Sequence, residues 1–197
     1  VSIVVEEPDR SHFMPGMGAM TIRLVADRKS RRIVGAQIMG GGVVDKRLDS
    51  IVAAISAGMT VDMLADTDFA YAPPFATALD PTTHAANALR NKMDGLVKTY
   101  SAKELKALME GANPPFLLDV RSPQELDLQG RIPYDFANIP LGQLRGRITE
   151  IPKDREIVTF CKISVRGWDA IATLRGNGYE NVALLEGGIM AWPYDLR

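Results

Sequence analysis

The sequence holds a single cysteine, Cys161, and two histidines, His12 and His84, among 197 residues. One cysteine cannot close an internal disulfide, so the chain is expected to work in a reducing compartment such as the cytoplasm. The two histidines stand alone, without the spacing of metal ligands, and are expected to serve packing or the surface. No apolar run approaches the ~20 residues that cross a bilayer, and no secretory leader is visible. Charge of one sign is also missing. Residues 1–98 carry 11 basic and 11 acidic side chains and residues 99–197 carry 12 and 13, for a net charge of -1. That balance excludes the basic footprint of a nucleic-acid binder and a polybasic membrane patch. No Gly-x-Gly-x-x-Gly occurs anywhere, and Gly40-Gly41-Gly42 lacks the spacing and the following helix start of a dinucleotide turn. The chain opens on Val1-Ser2-Ile3-Val4-Val5, without Met and already strand-like, and is expected to be a piece of a longer protein.

What is present falls into two rhythms. The first half reads β-β-β then α. Ser2–Glu6 is a short β-branched run. Met20–Asp27 alternates, with Ile22, Leu24 and Ala26 on one side. Arg32–Met39 repeats the alternation, with Ile33, Gly35 and Gln37 set against Val34, Ala36 and Ile38. The polar turn Asp27-Arg28-Lys29-Ser30 makes the pair a hairpin. A helix is predicted from about Lys46 to Ala57, with Leu48, Ile51, Val52, Ile55 and Met59 at helical spacing and Gly58 behind it. Ala72-Pro73-Pro74 is expected to be extended. Asp80 caps a helix that has Pro81 at its first position and runs to about Lys92.

A boundary is placed at Met93-Asp94-Gly95, giving units 1–95 and 96–197. Beyond it helices and strands alternate. Ser101 and Glu104 form a capping box for a helix over Lys103–Glu110. Strands are predicted over Phe116–Val120, Ala137–Ile139, Glu156–Phe160 and Val182–Leu185, with a helix from about Gly167 to Asn177. Alternation of this kind means a mostly parallel sheet covered by helices, whereas the first half reads as an α+β unit on an antiparallel sheet.

Cys161 directly follows the apolar run Ile157-Val158-Thr159-Phe160. With the helix starting at Arg166 or Gly167, Cys161-Lys162-Ile163-Ser164-Val165-Arg166 is a tight strand-to-helix loop. Backbone N–H groups in such a loop can converge on one centre, and the helix N-terminus adds partial positive charge. Both features favour a thiolate, the attacking form of cysteine, and so does Arg166. The same cradle could hold the extra sulfur of a persulfide.

This loop and its surroundings resemble the rhodanese family. The resemblance is carried by Leu118-Asp119-Val120-Arg121-Ser122-Pro123-Gln124-Glu125-Leu126, by Gly130-Arg131-Ile132-Pro133 with Ala137-Asn138-Ile139-Pro140-Leu141, and by Asn181 through Trp192 with its Gly187-Gly188 turn. It implies that Cys161 accepts sulfane sulfur from a small persulfide or a thiosulfate-like donor. It also implies that Lys162, Ile163, Ser164, Val165, Arg166 and Gly167 supply the N–H cradle, and that Asp119 and Arg121 brace the loop as an ion pair. The family usually has His where Arg131 stands and Gly where Ser164 stands, and one residue fewer around Tyr134-Asp135-Phe136. Two other readings share the loop: a non-catalytic binding or delivery module, and a phosphatase or arsenate reductase. The six-residue span argues against the second, whose loops are longer.

Residues 1–95 resemble the dimerisation domain of the pyridine nucleotide–disulfide reductases, nearest to the coenzyme A-disulfide and persulfide reductases. The motifs are Gly35-Ala36-Gln37, Val44-Asp45-Lys46-Arg47 and Tyr71-Ala72-Pro73-Pro74-Phe75 with Asp80-Pro81. The resemblance implies a homodimer through 1–95 and, in the longer enzyme, upstream domains binding FAD and NADH, with coenzyme A a candidate ligand. Neither cofactor is expected on this piece. Tyr71 matches a tyrosine that reaches the partner's active site. Met14 stands before Pro15-Gly16, where the family tends to carry a second tyrosine.

Overall fold

The computed structural model describes residues 1–197, which divide into two compact units, Val1–Leu96 and Val97–Arg197. Each is taken by itself.

The first unit is a three-stranded antiparallel sheet, β1 (Ser2–Pro8), β2 (Ala19–Ala26) and β3 (Ile33–Gly40), in that spatial order. Alternation in β2 buries Met20, Ile22, Leu24 and Ala26 on one face. Between β2 and β3, Asp27 closes the turn by accepting from the Lys29 and Ser30 N–H groups and the Ser30 hydroxyl. A register shift between Val25 and Ala26 pairs Gly35 with Val25 but Ile33 with Ala26. This bulge overturns one expectation: Ile33 joins Ala36 and Ile38 in the core instead of facing away from them.

Three helices pack on that sheet: α1 (Val44–Ser56), α2 (Val61–Ala65) and α3 (Pro81–Met93). Helix α1 starts two residues before the predicted Lys46, so Gly40-Gly41-Gly42 does lead directly into a helix. The space is nevertheless filled. The Asp9 carboxylate lies against Gly42 and accepts from the Gly18 N–H at 2.9 Å, which sets a negative charge where a phosphate would have to bind. The predicted apolar stripe of α1 packs inward at Ile51, Ile55 and the following Met59, but Val52 is 51% exposed. Ala54 and Arg47 are buried in addition. Arg47 is held there because its Nη2 donates to the Asp9 and Phe75 carbonyls (2.9 and 3.1 Å) and lies 3.3 Å from Asp80. Ala72-Pro73-Pro74 is not extended throughout. The Ala72 carbonyl accepts from the Phe75 and Ala76 N–H groups, and the turn is pinned by Arg47 and by the Ser11 N–H on the Pro73 carbonyl. Helix α2, capped by Thr60, was not predicted, since five residues carry too little periodicity to read. Asp80 caps α3 through the Thr82 N–H as expected.

The second unit is a five-stranded, all-parallel sheet in the order β4-β8-β7-β5-β6. The strands are β4 (Lys98–Tyr100), β5 (Phe116–Asp119), β6 (Ala137–Asn138), β7 (Ile157–Phe160) and β8 (Val182–Leu185). Helices α4 (Ala102–Met109), α5 (Pro123–Gln129), α6 (Leu141–Leu144) and α7 (Val165–Gly176) join them. Two apolar clusters result. One gathers Leu118, Ile157, Ala170, Ile171 and Leu174, and the other Leu105, Leu117, Val158, Phe160 and Ile189. Ser101 and Glu104 form the expected capping box. No helix of the chain is long and apolar enough to cross a membrane.

Candidate active site

Strand β7 lies between β8 and β5 and is buried along its whole length. In an open parallel sheet, ligand sites form beyond the carboxyl ends of such central strands. Cys161 is the first residue past that end, and it is buried. Helix α7 then begins at Val165, one residue earlier than predicted, because the Ser164 carbonyl already accepts from the Trp168 N–H at 2.9 Å. Ser164 turns the chain in a left-handed conformation, φ +77°, and its hydroxyl donates to the Leu185 carbonyl at 2.7 Å. Gly167 sits where α7 crosses the sheet closely. A Cβ there would come within 2.7 Å of Leu184.

The turn after β8 fixes the direction of the loop's peptides. The Ile189 N–H donates to the Cys161 carbonyl (3.0 Å) and the Met190 N–H to the Lys162 carbonyl (3.1 Å). Gly188 makes this approach feasible. Its φ is +62°, and a Cβ would lie 2.5 Å from the Lys162 oxygen and 2.6 Å from the Cys161 oxygen. A trans peptide sets N–H opposite C=O, so the Lys162 and Ile163 N–H groups face the other side of the loop. The N–H groups of Lys162, Ile163, Ser164, Val165 and Arg166 donate to no backbone carbonyl.

Arg166, in the first turn of α7, is held by Glu125 through two parallel bonds, Nη1 to Oε2 at 2.7 Å and Nη2 to Oε1 at 2.5 Å. The Glu125 bond, with a smaller contribution from Cys161, raises the Arg166 guanidinium above its ordinary value. In return Arg166 pulls the Glu125 carboxyl down to about 2, helped by the Ser122 N–H. Glu125 was not among the predicted site residues. The signal was available, because Ser122-Pro123-Gln124-Glu125 is a second capping box, with the Ser122 N–H donating to Glu125 and the Glu125 N–H to the Ser122 hydroxyl.

Asp119 and Arg121 form a fully buried pair, with Arg121 Nη2 to Asp119 Oδ2 at 2.6 Å and Nε within 3.1 Å of both oxygens. Arg121 also reaches Gln129 and the Gly130 carbonyl, which ties the end of β5 to the end of α5. The pair therefore anchors the strand beside β7, and the Val120 N–H joins the two strand ends on the Phe160 carbonyl at 3.0 Å. Tyr71 lies in the other unit, just before the Ala72–Ala76 turn, 51% exposed. His84 is not isolated. Its Nδ1 is 2.5 Å from Glu7, and that bond raises its pKa.

A parallel sheet with a lone cysteine at the mouth of its central strand, a strand-to-helix loop around it and a Gly-Gly turn behind it defines a rhodanese-type domain. The comparisons agree. Residues 101–194 match the model of the rhodanese-like domain, and residues 1–83 match that of the pyridine nucleotide-disulphide oxidoreductase dimerisation domain. A sulfurtransferase of Allochromatium vinosum is 36% identical over 97 residues, which is 49% of this chain and 89% of that protein. Two solved structures align along 98% of this chain. They are a NAD-dependent persulfide reductase from A. fulgidus, 39% identical with a TM-score of 0.86, and reduced CoADR-RHD from Bacillus anthracis, 36% identical with a TM-score of 0.89. The chain spans 34% of the length of each. It belongs to the rhodanese-like family and carries a pyridine nucleotide-disulphide oxidoreductase dimerisation domain ahead of the rhodanese-like one.

Proposed function

We propose that Cys161 accepts sulfane sulfur as a persulfide, and that the chain does so as part of a persulfide or coenzyme A-disulfide reductase. The observation that carries the reading is the loop itself: the one thiol opens a strand-to-helix loop whose N–H groups from Lys162 to Arg166 bond to no backbone carbonyl and whose first two carbonyls are held by Ile189 and Met190. The Cys161 thiolate attacks the outer sulfur of a small persulfide or of thiosulfate. A new S–S bond forms to Cys161, the donor's own S–S bond breaks, and a thiolate or sulfite leaves with the electron pair. The N–H groups of Lys162 to Gly167 hold the anionic terminal sulfur, and Arg166 lends it charge. An acceptor thiolate or cyanide then removes that sulfur and restores the Cys161 thiolate. Asp119 and Arg121 support the loop from the neighbouring strand.

In the longer enzyme FAD and NADH would supply the electrons that release the transferred sulfur as sulfide. The residues of this chain do not fit a dinucleotide, since the one glycine-rich turn ahead of a helix is filled by Asp9. Tyr71 is the residue of the first unit expected to reach a partner's redox site, and residues 1–95 are the expected dimer contact.

The test is turnover of thiosulfate with cyanide, together with intact mass after exposure to a persulfide donor. The wild-type chain should gain the mass of one sulfur atom and form thiocyanate. Cys161→Ser should do neither while keeping its circular dichroism. Retention of more than ~5% of the activity in that variant would refute the assignment, since loss of a covalent nucleophile leaves only traces of turnover.

A further inference from the structure

Arg166 stands half-buried in the first turn of α7, where a long flexible side chain would ordinarily carry its charge out into water. Here both terminal nitrogens are taken by one carboxylate at 2.5 and 2.7 Å, at the last residue of the loop that Cys161 opens. We propose that Glu125 is a positioning residue of the sulfur site, whose carboxylate fixes the Arg166 guanidinium at the end of the Cys161–Arg166 loop. The proposal rests on the reading of Cys161 as sulfur acceptor.

Three features argue for a built clamp and against a chance surface pair. Glu125 is itself fixed, because its carboxylate also accepts from the Ser122 N–H at 3.0 Å while its own N–H donates to the Ser122 hydroxyl at 3.3 Å. The two partners come from different elements, α5 and α7, 41 residues apart. The fork is bidentate, which sets the plane of the guanidinium as well as its distance. Asp119 and Arg121 pair with each other, and Arg121 spends its other donors on the end of α5. A positive charge helps an anionic sulfur only if it stays where the charge develops. An untethered Arg166 would keep its charge and lose its place.

The experiment is the thiosulfate–cyanide assay on this chain, with kcat and KM read separately. Glu125→Gln keeps the capping box, because glutamine serves at that position, and removes the charge that grips Arg166. It should lower kcat about tenfold and leave the KM for thiosulfate within about twofold. Arg166→Ala, which probes the same pair from its solvent side, should lower kcat at least as much. The double variant should then be no slower than Arg166→Ala alone, because Glu125 acts only through Arg166. Wild-type kcat in Glu125→Gln at an unchanged melting temperature, or losses that multiply in the double variant, would overturn the proposal. Cys161→Ser separates the two ideas: activity surviving in that variant sinks the sulfur-acceptor reading itself.

Discussion

Ser164 occupies a left-handed backbone conformation that side chains rarely adopt, and it recovers part of that cost through the bond from its hydroxyl to the Leu185 carbonyl. Two substitutions separate the terms. Ser164→Ala keeps the strain and loses the bond, so it should destabilise the chain by about 1 kcal/mol. Ser164→Gly loses the bond but also the strain, and should stay within about 0.5 kcal/mol of wild type. Urea unfolding of the two variants side by side decides this. An alanine variant as stable as the glycine one would show that the loop is not strained at this residue. The places of Cys161 and Arg166, at the end of an apolar strand and the start of the next helix, were legible in the sequence because both elements are local. Glu125 was not, because it meets Arg166 only through the fold, and its local signal concerns the start of α5.

At the level of elements, the His84–Glu7 pair joins the end of β1 to α3. Its bond to Glu7 raises the pKa of His84, so protonated His84 is favoured in the folded chain. The contribution to stability is therefore complete below the unfolded histidine value of about 6.5 and fades as pH rises through the raised folded value. His84→Gln should cost the most stability near pH 6 and little near pH 9. Melting temperatures of both proteins across that range check the sign, and a cost that grows with pH would reverse it. Where the sequence was misread, the cause also lies between elements. The β2–β3 bulge moved Ile33 to the core side, and Arg47 is buried on α1 because it reaches two loop carbonyls. Strands β2 and β8 were legible because nothing distant competes with their alternation or their apolar run.

For the whole molecule, the first unit presents Phe13, Met17, Tyr71, Phe75 and Leu79 at 42 to 75% exposure. Apolar side chains left exposed together with a dimerisation-domain fold are expected to associate. Sedimentation equilibrium at tens of micromolar should show a self-associating species of twice the 21.5 kDa chain mass. Phe75→Asp should shift it towards monomer without changing thiosulfate turnover. A wild-type chain that stays monomeric there would show that residues 1–95 do not suffice. The two-unit organisation was readable from the change in rhythm near Met93. The strand order of the second unit was not, because three-residue β4 and two-residue β6 leave too short a pattern.

Those same two strands have a further consequence. They are the outer members of the parallel sheet, and together they offer only five residues of backbone at its margins. A growing β-aggregate needs a long, flat margin to copy, and this sheet ends on both sides before one can form. Short margins of this kind resist edge-to-edge polymerisation, and the half-exposed Lys98 sets a charge on one of them as well.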